Sequence, residues 1–204
     1  MNDLPLAGMP DAIAQWPLAT ALLSTGVVAL AEIGDKTQLL ALLLAARFRR
    51  PWPIIAGILV ATVLNHAVAA WLGALIAQWL TPGVLRWIVA GSFLAIAAWS
   101  LVPDKIEADA APKGGHGVFL ATTIAFFVAE IGDKTQVATV LLAAKYSPLW
   151  EVVAGTTLGM LLANAPVALL GSKFADRLPL RTARLAAAAV FAALGLWVAI
   201  RGIG

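Results

Sequence analysis

Apolar runs long enough to cross a lipid bilayer alternate along this chain with short clusters of proline, glycine and charge. About 20 apolar residues cover the hydrocarbon core. By that measure the pattern predicts six transmembrane helices, near 17–46, 53–79, 84–102, 117–145, 150–174 and 182–200. The stretch PDKIEADAAPKGGH at 103–116 is the only extended polar segment. It separates a first three-helix unit, 17–102, from a second, 117–204. Residues 1–16 hold two Asp and no Lys or Arg. A cleavable leader starts with positive charge, so this stretch reads as a short external tail.

Two apolar runs are interrupted by the same eight letters, AEIGDKTQ, at 31–38 and again at 129–136. Beyond them the halves align without a gap at an offset of 98: Trp52 on Trp150, Gly57 on Gly155, Gly73 on Gly171, Arg86 on Arg184, Phe93 on Phe191 and Trp99 on Trp197. Apolar helices resemble one another by chance, but not through matched Glu, Asp, Lys, Thr and Gln. The pattern is an internal duplication. Three spans per half is odd, so the second half is expected to enter the membrane upside down. The fold class predicted is an all-α integral membrane protein of two inverted three-helix repeats, with its site near the midplane where the repeats meet.

Composition sharpens this picture. Hydrophobic residues make up 61% and charged residues 12%, against about 25% charged in soluble domains. The chain has no cysteine, which removes disulfides and thiolate metal sites. Nothing forms a basic run with interleaved aromatics, so nucleic acid is not an expected partner. Arg47, Arg49, Arg50, Lys105, Lys113, Lys173, Arg177, Arg181 and Arg184 fall on one side of the expected topology, and Arg86, Lys145 and Arg201 on the other. Positive loops stay in the cytoplasm, which places both termini outside.

The buried charge carries the chemistry. An acid at the centre of a transmembrane helix costs roughly 2.5–3.5 kcal/mol to insert. Glu32, Asp35, Glu130 and Asp133 together cost about 10–14 kcal/mol unless paired, protonated or bound. Each motif is expected near mid-depth of one long, tilted or broken helix, where Gly34 and Gly132 permit a kink or a close helix approach. On a helix Glu32, Asp35 and Gln38 form one stripe, matched by Glu130, Asp133 and Gln136. The plain reading is ion pairing at i,i+4, Glu32 to Lys36 and Glu130 to Lys134. Two lysines against four carboxylates leave two negative charges over, the complement of a divalent cation. Carboxylates, the Gln amides and the Thr37 and Thr135 hydroxyls are hard oxygen donors, suited to Ca²⁺, Mn²⁺ or Mg²⁺. The methionines lie outside the motifs, which disfavours soft ions, and Mg²⁺ dehydrates reluctantly. Such a site holds metal with its acids ionised and protons with its acids neutral, which is an exchanger. No prosthetic group is expected, and the partners are the cation and the bilayer; the oligomeric state is not legible.

Two copies of E-x-G-D-K-T, one on the first helix of each half, resemble the family of Golgi calcium/manganese–proton antiporters, and most closely its bacterial manganese exporters. The resemblance covers nearly the whole chain. It implies Mn²⁺ or Ca²⁺ as substrate, protons as counter-ion, a bacterial inner membrane, and a cation site of Glu32, Asp35, Glu130 and Asp133 with Thr37 and Thr135 at the hydroxyl positions. The competing expectation within the class is an exporter of small organic solutes such as amino acids, which predicts partners for an ammonium and a carboxylate. A membrane enzyme lacks a catalytic cluster and an extramembrane domain, and a channel would bind a cation too firmly at this charge.

Asn65, His66 and Asn164 are further polar residues in predicted spans, and His66 aligns with Asn164. Ion-path lining and interhelical hydrogen bonding are equal readings of them. His116, Glu151 and Asp176 fall at expected boundaries or in the loop, where no direct role is expected. Gly155 and Gly159 read as a packing pair, and Trp16, Trp52, Trp79 and Trp150 as interfacial anchors.

Overall fold

The computed structural model describes residues 18–103, 117–171 and 180–202, and all the regular structure among them is helical. The helices are α1 (Ala19–Glu32), α2 (Lys36–Phe48), α3 (Pro51–Trp79), α4 (Pro82–Ser100), α5 (Val118–Glu130), α6 (Lys134–Lys145), α7 (Leu149–Leu170) and α8 (Leu180–Arg201). Helices α3, α4, α7 and α8 are long and apolar enough to cross a membrane, while α1 and α5 are apolar but shorter. The expected first and fourth spans take the broken form of the long, tilted or broken helix read from the sequence. Each is two helices, α1–α2 and α5–α6, interrupted at the repeated motif.

Large apolar side chains face outward as well as inward, and the charged residues of the motif are drawn inside. Glu32, Asp35, Gln38, Asn65, His66, Glu130, Asp133, Lys134 and Asn164 are buried, while Trp52, Trp79, Trp87 and Ile200 stand more than 60% exposed. An apolar exterior over an apolar core that encloses the charged groups is the distribution a bilayer selects, since lipid solvates Leu and Trp and leaves charge to the protein. This is a multi-pass membrane protein.

The two halves interlock. Helix α3 lies against α5 and α6 of the other half, and α7 lies against α1 and α2. Close approach explains two aligned glycines: a Cβ on Gly57 would meet the Phe119 carbonyl and Thr122, and a Cβ on Gly155 would overlap the Ala21 carbonyl. Gly159 likewise faces Thr25 and Val28, so the G-x-x-x-G is a packing surface for α1. Helices α4 and α8 pack on each other, and the aligned Phe93 and Phe191 stack with ring centroids 6.2 Å apart.

Candidate metal centre

Each AEIGDKTQ folds as a turn followed by a helix start. Ile33 has φ −65° and ψ 112°, Gly34 has φ 82°, and the Asp35 N–H donates to the Glu32 carbonyl at 3.0 Å. These are the angles of a type II turn, whose third position requires positive φ and so selects glycine. Gly132 repeats it with φ 74°, and Asp133 N–H donates to the Glu130 carbonyl at 3.1 Å. Asp35 and Asp133 are then the N-caps of α2 and α6, their Oδ1 accepting from the Lys36 and Lys134 N–H at 2.5 and 2.7 Å. Three residues on, the Gln38 and Gln136 Oε1 atoms reach back to accept from the Gly34 and Gly132 N–H at 2.8 and 2.7 Å. This is a capping box displaced by one residue. The helical stripe expected from i,i+3 spacing is thus absent, because the helix stops at Glu32 and restarts at Lys36. Glu and Asp stand at the two ends of one turn instead.

The halves bring their turns together. Lys36 Nζ lies 3.6 Å from Asp133 Oδ1, and Lys134 Nζ lies 3.2 Å from Asp35 Oδ2. Pairing therefore runs between the repeats and not along one helix, as i,i+4 spacing had predicted. Carboxylate oxygens of Glu32, Asp35 and Asp133 all lie within 4.8 Å of one another, and all three side chains are buried. Two ligands on opposite sides of one hard cation sit about 4.8 Å apart when each bond is about 2.4 Å, so one ion can touch all three. The N-termini of α2 and α6 also point their positive ends here, which favours ionised acids.

Each glutamate has one neighbour from its own motif and one from the opposite half. Thr37 Oγ1 donates to Glu32 Oε2 at 2.5 Å, and Asn164 Nδ2 on α7 donates to the same oxygen at 3.2 Å. Thr135 Oγ1 donates to Glu130 Oε2 at 3.3 Å, and His66 Nε2 on α3 lies 3.7 Å from that oxygen. Glu130 stands outside the set of three, beside His66. The Oε1 atoms of Glu32 and Glu130 accept no hydrogen bond among the described residues.

The other polar residues singled out above have definite places. Gln38 Nε2 donates to the Ala163 carbonyl at 3.0 Å, while Gln136 Nε2 lies 3.5 Å from Asn65 Oδ1, and Asn65 Nδ2 donates to the Phe127 carbonyl at 3.1 Å. Both Gln side chains therefore brace a turn and tie it to the facing half. Glu151 accepts from the Ala21 N–H at 3.3 Å, which ties the start of α7 to the first turn of α1. Its spacing from Ala21 in the sequence gave no sign of this. Trp16, Lys105, Lys113, His116, Lys173, Asp176 and Arg177 lie outside the described residues.

Chemically, the centre is a buried pair of facing turns with four carboxylates, two ammonium groups and oxygen donors. Set beside known proteins, residues 20–108 and 118–204 match the GDT1 family, described as the divalent cation/proton antiporter GDT1. A Vibrio cholerae protein named "Putative manganese exporter" is 52% identical over 180 residues, covering 88% of this chain and 90% of that one. A GDT1-like protein of Synechocystis is 28% identical over 186 residues, covering 81% of this chain and 89% of its own. No solved structure matches the chain. The chain belongs to the GDT1 family of divalent cation/proton antiporters, and is a transporter and not an enzyme.

Proposed function

We propose, with that membership as premise, that the protein exports Mn²⁺, with Ca²⁺ as the alternative cargo, from a bacterial cytoplasm across the inner membrane in exchange for protons. The observation that carries this reading is the convergence of Glu32, Asp35 and Asp133, from both repeats, on one buried point. Glu130 supplies the fourth carboxylate from the facing turn. Thr37 and Thr135 orient the glutamates, and Gln38 and Gln136 hold the turns in shape. Four carboxylates and two ammonium groups leave −4 + 2 = −2. One divalent cation or two protons neutralise that remainder, which is the stoichiometric logic of exchange. Lys36 and Lys134 hold the facing aspartates when no cation is there, and retreat from them as it enters.

The two halves are proposed to be inverted repeats with both termini outside. Reciprocal contacts support a twofold relation: Lys36–Asp133 with Lys134–Asp35, Gly57–Phe119 with Gly155–Ala21, and Asn164–Glu32 with His66–Glu130. Each pair is the other shifted by 98 between the halves, as a self-complementary interface demands. An odd number of crossings per half sets the axis in the membrane plane. The family membership argues against the organic-solute reading.

The test is uptake of Mn²⁺, Ca²⁺ and Mg²⁺ into proteoliposomes with and without an imposed pH step. Mn²⁺ and Ca²⁺ flux should exceed that of Mg²⁺ and rise with the step. Glu32→Gln and Asp35→Asn should each lower it about a hundredfold, equivalent to about 2.8 kcal/mol. Flux indifferent to the pH step removes proton coupling and leaves the cation site. Flux indifferent to both substitutions removes the site.

A further inference from the structure

His66 is the one imidazole in the described core, fully buried on α3, and neither of its nitrogens makes a hydrogen bond among the described residues. Buried polar groups in native folds are satisfied in the great majority of cases, and each exception asks for a cause. Interhelical hydrogen bonding is not that cause here. The Glu130 Oε2 atom stands 3.7 Å from Nε2, beyond hydrogen-bond reach. It is, however, a suitable separation for two ligands on one ion: bonds of about 2.2 Å to each would subtend an angle of about 115°. Glu130 belongs to the same turn as Asp133, whose carboxylate lies within 4.8 Å of those of Glu32 and Asp35, so His66 stands beside the acid cluster.

The aligned residue in the other half behaves differently. Asn164 donates from Nδ2 to Glu32 Oε2 at 3.2 Å and to the Met160 carbonyl at 3.1 Å. It is a hydrogen-bonding residue that holds Glu32 in place. The motifs are identical in the two halves, but this supporting position is not, and the difference is a nitrogen donor on one side only.

We infer that His66 Nε2 enters the coordination shell of the transported cation together with Glu130, and that this single nitrogen makes the site prefer Mn²⁺ to Ca²⁺ and Mg²⁺. The inference rests on the exchanger reading above and names the element of selectivity within it. Ca²⁺ and Mg²⁺ take oxygen ligands. Mn²⁺ shares their liking for carboxylates but, as the first of the transition ions in the Irving–Williams order, also gains from an imidazole nitrogen, though less than the later ions do. An all-oxygen cage would not separate Mn²⁺ from Ca²⁺ by ligand type. An imidazole held ready by burial does, and it favours ions that gain from a nitrogen bond.

Mn²⁺ is paramagnetic, so the ligation is read directly. Mn²⁺ bound to the purified full chain in detergent should show ¹⁴N modulation in electron spin-echo spectra. His116→Ala should retain the modulation and His66→Asn should lose it. In proteoliposomes His66→Asn should lower the ratio of Mn²⁺ to Ca²⁺ flux about tenfold or more while Ca²⁺ still moves. Bound Mn²⁺ without ¹⁴N modulation in the unsubstituted protein overturns the inference whatever the variant's folding, as does an unchanged ratio in His66→Asn. A chain that binds no Mn²⁺ and moves neither ion strikes the proposed function itself.

Discussion

At Gly34 and Gly132 the backbone takes φ of 82° and 74°, and a side chain there costs about 1–2 kcal/mol in strain. No atom crowds a Cβ on Gly132, so Gly132→Ala isolates the conformational term. It should lower unfolding stability in detergent by about that amount and slow transport, because Glu130 and Asp133 are positioned by the turn. The two lysines should differ although their motifs are identical. The Lys134 side chain is 3% exposed against 30% for Lys36. Lys134→Met leaves a buried negative charge beside α6 and should cost about 3–5 kcal/mol. Lys36→Met should cost less, because the Lys36 side chain is partly exposed although Asp133 is buried, and chemical unfolding of the two variants side by side measures the contrast. The spacing of the motif letters was visible from the start, but their helical stripe was not real. Periodicity registers where apolar residues recur and carries no information on the sign of φ at one glycine.

The same motif works at the scale of the helix as a designed interruption. A helix broken inside a membrane exposes N–H and C=O groups that lipid cannot satisfy. Gln38 and Gln136 satisfy the N–H just before each restart and the cap aspartates satisfy another. Gln136→Ala should therefore remove the acceptor of the exposed Gly132 N–H, at a cost of about 0.5–1.5 kcal/mol, and hydrogen exchange at that amide should accelerate. Packing between elements is equally specific. Gly155→Val would drive α7 away from the Ala21 carbonyl and should destabilise the chain by about 1–3 kcal/mol. The shared Gly155 and Gly57 were readable as aligned letters. Their partners, Ala21 and Phe119, were not, because the contact is made by backbone carbonyls, which every residue carries.

For the whole molecule, orientation is the open quantity that charge predicts. The chain has no cysteine, so single introduced thiols report their own location. Arg49→Cys should react with a membrane-impermeant maleimide only from the cytoplasmic face, and Arg86→Cys only from the outside. The opposite pattern would reverse the direction assigned to export. Membership of the bilayer, the doubling of the chain and the charge inventory of the site could all be read from letters alone. They depend on sums and on local runs, such as apolar length, repeated motifs and acids counted against lysines. Which lysine neutralises which aspartate, why Glu130 stands with His66 and apart from the other three acids, and that Asn164 holds Glu32, came from the fold. Those contacts join segments up to 132 residues apart. In a low-dielectric interior a charge takes whatever partner packing brings nearest, and packing is a property of all the described helices together.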